Sequence, residues 1–215
     1  MSVLRQPEVL GQTTRRRVVG VTAALSAAAI ETLAVGLWFG LVVDSRTTST
    51  ALAGLGVLFC GSLLRSGVFS ATVSDLGDLL QPRRLSAALL FTTGWVLWLL
   101  VAELFDDFLG IVIATTVLTG VLTAQFVFER HIFRLDSNFE PTFALVLPAL
   151  LMAVGASTLL GTAWFATWSL SFPPLSLSGT TVAIRIVALH IGGLVFGLFA
   201  FVAHQRRFQR ILEPG

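Results

Sequence analysis

The feature that most constrains this chain is Val18–Val43, a nearly unbroken apolar run of 26 residues that holds one carboxylate, Glu31. At ~1.5 Å per residue the run makes about 39 Å of helix, more than the ~30 Å hydrocarbon core of a bilayer. It reads as a transmembrane helix. Glu31, about 20 Å from Val18, falls near the middle of the slab. A carboxylate at that depth costs ~2.5–3.5 kcal/mol on insertion scales, so other helices must shelter it or it must serve a function.

The rest of the composition agrees with a membrane protein. Hydrophobic residues make up 55% of the chain, charged residues 12%, and the mean hydropathy is +0.86. Soluble domains carry about a quarter charged residues, which excludes that class. The 215 residues fit six spans with short connections. The pI of 9.9 suggests nucleic acid, but the net charge is only +2. Because the arginines sit at span ends, where membrane orientation requires them, no nucleic-acid partner is expected. A lone cysteine, Cys60, excludes an intrachain disulfide and a cysteine-based metal cluster. All basic residues are arginine and tyrosine is missing, a bias typical of a high-GC prokaryotic genome.

Apolar runs and their flanks predict an all-α integral membrane bundle of six transmembrane helices. The spans are read at 18–43, 49–73, 84–105, 108–128, 141–168 and 179–203, within a membrane domain over 18–203. Residues 1–17 and 204–215 are read as cytoplasmic tails. Eleven arginines (Arg5, Arg15, Arg16, Arg17, Arg83, Arg84, Arg130, Arg134, Arg206, Arg207 and Arg210) then fall on the side of both tails. Only Arg46 falls opposite, a positive-inside pattern that predicts a multi-pass cell-membrane protein with both ends cytoplasmic. The segment Thr14-Arg15-Arg16-Arg17-Val18-Val19 resembles a twin-arginine export signal. Its apolar run far exceeds a signal peptide's ~7–15-residue core, so an uncleaved first span is expected.

Polar residues inside the spans carry the functional expectation. Ala24, Ala27, Ala28 and Ala34 share a helical face with Glu31, placing the acid on a close-packed seam. Arg65 lies in the inner third of span 2, where it either joins a polar cluster or snorkels to the headgroups. Span 6 as read holds Arg185 and His190, and His190, Gly193, Gly197, Phe201 and His204 share one face. Measured from the outer span ends, Glu31 and His190 both lie about 18 Å deep and Arg185 about 10 Å. If spans 1 and 6 are neighbours, Glu31, Arg185 and His190 meet in an intramembrane polar cluster, with Arg65 as a further member. Pro148, inside span 5, frees the carbonyl of Ala144 and predicts a kink. The stripe of Thr116, Thr119, Gly120 and Thr123 on span 4 suits helix packing or a polar path.

Catalytic readings fail on the residues. The chain has no GxSxG, no HExxH and no paired-aspartate headgroup-transferase motif. His131 and His204, read at the inner surface, leave His190 without a second axial ligand for haem. The expectation is a non-enzymatic protein without cofactor or bound metal, partnered by the lipid bilayer. It moves a small solute or ion, with Glu31 as the coupling residue. The alternative is a non-catalytic scaffold or accessory subunit, packing against its own copies or a partner membrane subunit.

Overall fold

The structure is a computed structural model that describes residues 7–44, 47–73, 82–105, 107–132, 143–173, 175–177, 180–183 and 185–212. Six helices account for most of it: α1 (Pro7–Asp44), α2 (Thr48–Val73), α3 (Pro82–Phe105), α4 (Asp107–Ile132), α5 (Phe143–Phe165) and α6 (Ala188–Leu212). All six are long and apolar enough to cross a membrane, the build of a multi-pass membrane protein. Arg5, Arg46 and Arg134, counted above in the charge pattern, lie outside the described residues, as do the acidic residues Asp75, Asp78, Asp136 and Glu140.

Local chemistry sets several helix ends. Pro7 and Pro82 stand at the first positions of α1 and α3, where a missing N–H costs nothing. At the start of α2 the Thr50 N–H donates to Thr47 Oγ1 (3.2 Å) and the Thr47 N–H donates to Thr50 Oγ1 (3.1 Å). This is a capping box with threonine in the role usually taken by glutamate. Helix α4 opens at Asp107, which takes a φ of 52°. Aspartate is among the few non-glycine residues that tolerate this left-handed region.

Each helix packs against its neighbours in sequence, and α6 returns against α1, so the six close into a ring. The ring is apolar both outside and along most of its centre. Leu33, Leu64, Leu100, Leu109, Leu150 and Leu194 project outward, the last 66% exposed, as lipid-facing positions do. Inside, Phe91, Trp95 and Trp98 of α3 reach across to Phe39 of α1 and Phe196 of α6. Successive ring centroids lie 5.5–6.1 Å apart. These edge and tilted contacts build an aromatic column along the bundle axis.

Close approach between neighbours rests on small residues. A Cβ on Gly61 of α2 would collide with the Cβ of Ala34 on α1, and one on Gly192 of α6 would meet the Thr158 carbonyl of α5 at 3.0 Å. Gly36, Gly40 and Gly161 have open space instead and mark no close approach within this chain. The threonines of α4 turn back on their own helix. Thr116, Thr119 and Thr123 donate to carbonyls four residues earlier at 2.7–2.9 Å. The cross-helix bond in this region is instead Thr115 to Ser157 of α5.

The last span differs most from the sequence reading. Helix is expected from residue 179, yet α6 begins at Ala188. The residues before it pair as antiparallel strands: β1 (Ser169–Ser171) with β4 (Arg185–Val187), and β2 (Leu175–Leu177) with β3 (Thr180–Val182). The sequence from Thr180 to Val187 has six β-branched residues in eight, a composition that disfavours helix and favours strand. At its other end α6 runs on to Leu212, nine residues past the expected limit, and α4 runs on to Ile132 rather than stopping at Phe128.

Candidate functional site: a buried charge network

Charged side chains gather inside the ring, toward the end where α1 begins and α6 finishes. Glu31 and His204 come from the first and last helices. They meet through Nε2 and Oε2 at 2.7 Å, with relative exposures of 1% and 0%. Glu31 reaches this position along the expected alanine seam, since Ala24, Ala27, Ala28 and Ala34 are all buried. On α6, Gly197 sits beside Thr32 of α1, where an added Cβ would meet Thr32 Oγ1 at 3.1 Å. That close approach brings the His204 face of α6 onto α1.

A second carboxylate organises the remaining charges. Glu129 of α4 accepts from Arg65 of α2 at Oε1 and from Arg207 of α6 at Oε2, the latter at 2.8 Å. Gln125, one turn earlier on α4, donates to Oε1 at 3.3 Å. Aromatic faces enclose both guanidinium groups. Arg65 lies over the Phe91 ring at 4.3 Å from its centroid, and Arg207 lies between Phe69 (4.6 Å) and Phe126 (3.8 Å). Guanidinium tolerates such surroundings better than ammonium because its charge is delocalised and weakly hydrated. Because α2, α4 and α6 are not consecutive in the ring, these bonds cross its centre and tie together helices that are not ring neighbours. The two groups form one electrostatic unit, since His204 lies within reach of both Arg65 and Arg207.

Several polar atoms in and beside the network have no hydrogen-bond partner: Glu31 Oε1, His204 Nδ1, Arg65 Nε and Nη1, Arg207 Nη1 and Gln125 Oε1. The indole N–H groups of Trp95 and Trp98 are likewise unpartnered in the aromatic column above. Buried polar groups are nearly always satisfied, so such a concentration marks a place where something polar can be held.

The expected cluster of Glu31, Arg185 and His190 does not assemble. Arg185 stands exposed on β4 and donates to Ser169 Oγ of β1 at 3.1 Å. His190 lies in the first turn of α6, where its Nδ1 accepts from the Val187 N–H at 3.1 Å and closes the helix start. The physical reason is the strand pairing. With α6 starting nine residues late, His190 moves from mid-span to the helix end, a shift of about 13 Å. Its place beside Glu31 goes to His204, fourteen residues on along the same face. Arg65 does not snorkel; it is 2% exposed and paired with Glu129.

Sequence reading missed Glu129, Arg207, Gln125 and His204, all assigned to connections or tails except Gln125. Their signal lay in the helical spacing of Gln125 to Glu129 and in Phe201 and Phe208, which extend the apolar face of α6 past residue 203. The freed Ala144 carbonyl is also accounted for: Arg210 of α6 donates to it, so Pro148 sits within a continuous α5. Among the described residues no group of three metal-ligating side chains converges. Comparison with known protein families, curated proteins and solved structures returned no match for this chain.

Proposed function

We propose that this protein moves a small solute or ion across the cell membrane of a prokaryote, with Glu31 and His204 together handling a coupling proton. The observation that carries this reading is the pairing itself. An acid and a base from opposite ends of the chain meet in full burial at 2.7 Å, and each keeps one polar atom without a partner. Intramembrane ionisable groups are costly to place and mark ion or proton pathways by default. Imidazole can both accept and donate a proton, and a carboxylate at hydrogen-bond distance is positioned to take it up or return it. The Arg65–Glu129–Arg207 group supplies fixed charge beside them, and the aromatic column closes the ring above.

The test is proton flux in liposomes holding the purified protein and a pH-sensitive dye. Wild type should dissipate an imposed pH gradient, and Glu31→Gln should slow this by at least about tenfold, an effect of ~1.4 kcal/mol on the rate-limiting barrier. Equal flux from the two proteins, both shown folded by tryptophan fluorescence, would defeat the proposal.

One observation favours a second reading, a non-catalytic scaffold or accessory subunit. The Arg65–Glu129–Arg207 bonds tie three non-consecutive helices, a role in which buried ionic groups fix packing rather than perform chemistry. On that reading wild type produces no flux and the network affects stability alone.

A further inference from the structure

We infer that the network binds a small monovalent anion together with a proton, so that the solute carried is an anion and the transport electroneutral. This rests on the transport reading above and names its substrate class.

The first argument is charge balance. Arg65 and Arg207 contribute two positive charges, and Glu31 and Glu129 two negative ones, so with His204 neutral the network carries none. Adding one proton to the Glu31–His204 pair, on either member, leaves a single uncompensated positive charge inside an apolar bundle. A buried charge is tolerated only when paired, so the proton and a compensating anion stabilise each other's binding. No cation can fill that role.

Every helix around His204 has to be counted. From α1 it faces Glu31; from α2, Arg65; Arg207 lies one turn along α6; and Glu129 of α4 pairs with both of these arginines. Arg84 of α3 is buried and donates to Ser70 Oγ at 2.6 Å. Helix α5 contributes no ionisable side chain between Phe143 and Phe165. Among the described residues the remaining carboxylates of these helices, Glu8, Asp44, Glu103 and Asp107, stand at or near helix ends.

The second argument concerns the direction of the orphaned groups. Of the buried polar atoms without a partner, five are obligate N–H donors: Arg65 Nε and Nη1, Arg207 Nη1, Trp95 Nε1 and Trp98 Nε1. Two are obligate acceptors, Glu31 Oε1 and Gln125 Oε1. A cation would need the reverse ratio. Arginine N–H groups and indole N–H groups are the donors that suit an anion stripped of water, and arginine presents them in a fixed fork.

Nitrate is a suitable probe because it is monovalent, weakly hydrated and does not take up a proton itself, with divalent sulfate as the comparison at equal ionic strength. In detergent, nitrate should raise the unfolding temperature of the wild-type protein at about pH 5.5 and leave it unchanged at about pH 8.5, on either side of the ordinary histidine range. In liposomes with the membrane potential clamped to zero, proton uptake should run about tenfold faster in nitrate than in sulfate. Arg65→Lys retains the charge facing Glu129 but loses the guanidinium fork, and it should abolish the nitrate dependence. Proton flux equal in both salts, with no stabilisation at acid pH, would overturn the anion inference and leave proton movement standing. Absence of proton flux in every salt, from folded wild type, would overturn both.

Discussion

At the residue scale, the two carboxylates of the network differ in what they hold. Glu129 balances two guanidinium groups, each enclosed by aromatic rings, so its loss strands two buried charges. Breaking a buried ion pair by removing one partner costs about 3–5 kcal/mol, so Glu129→Gln should lower stability by at least that much. Glu31 has one hydrogen-bonded partner, and glutamine can still accept the bond from His204. Glu31→Gln should therefore cost only about 1 kcal/mol. Denaturation followed by tryptophan fluorescence measures both, and equal losses would contradict the assignment of Glu129 as the organising carboxylate. This separation also makes Glu31→Gln a usable flux variant, because its effect on transport is not confounded with unfolding.

At the element scale, helix contacts depend on which glycines face a neighbour. Gly61 and Ala34 touch where α2 crosses α1, and there is no room for a methyl group. Gly61→Val should push these helices apart at a cost of about 1–3 kcal/mol. Gly40→Ala meets nothing within 4 Å, and alanine is the better helix former by about 1 kcal/mol, so that substitution should be neutral or stabilising. Thermal unfolding of the two variants against wild type checks the pair, and destabilisation by Gly40→Ala would show that its open face is covered by a second chain. The β-hairpin before α6 matters at the same scale. It fixes where the helix begins, and hence which histidine stands beside Glu31.

For the whole molecule, the ring places most of its arginines at one end and the strand pairs at the other. The positive-inside pattern then predicts that the β1–β4 end faces outward. A cysteine placed at Phe172, after replacing Cys60 by serine, should react in intact cells with a maleimide that cannot cross the membrane. A cysteine at Arg206 should react only after the cells are opened. Both positions are exposed in the structure, so the difference between them reports orientation rather than burial. The opposite labelling would invert the topology and with it the side from which the charge network is reached.

The hydrophobic runs by themselves determined six membrane-length helices, the burial of Glu31 on an alanine seam, and the freed carbonyl at Ala144, because length and periodicity are local properties of the chain. The face shared by His190, Gly197 and His204 was legible as well. The partners were not. A depth measured along one helix depends on where that helix starts, and the start of α6 is set by strand pairing between residues 169–171 and 185–187. Likewise Arg65, Glu129 and Arg207 sit on three helices separated by long stretches of chain, and spacing within each helix says nothing about which side chains meet across the ring. Only the closure of α6 against α1, with α2 and α4 facing across the centre, brought four helices' charges to one place. There, a low-dielectric interior lets no charge stand without its counterpart.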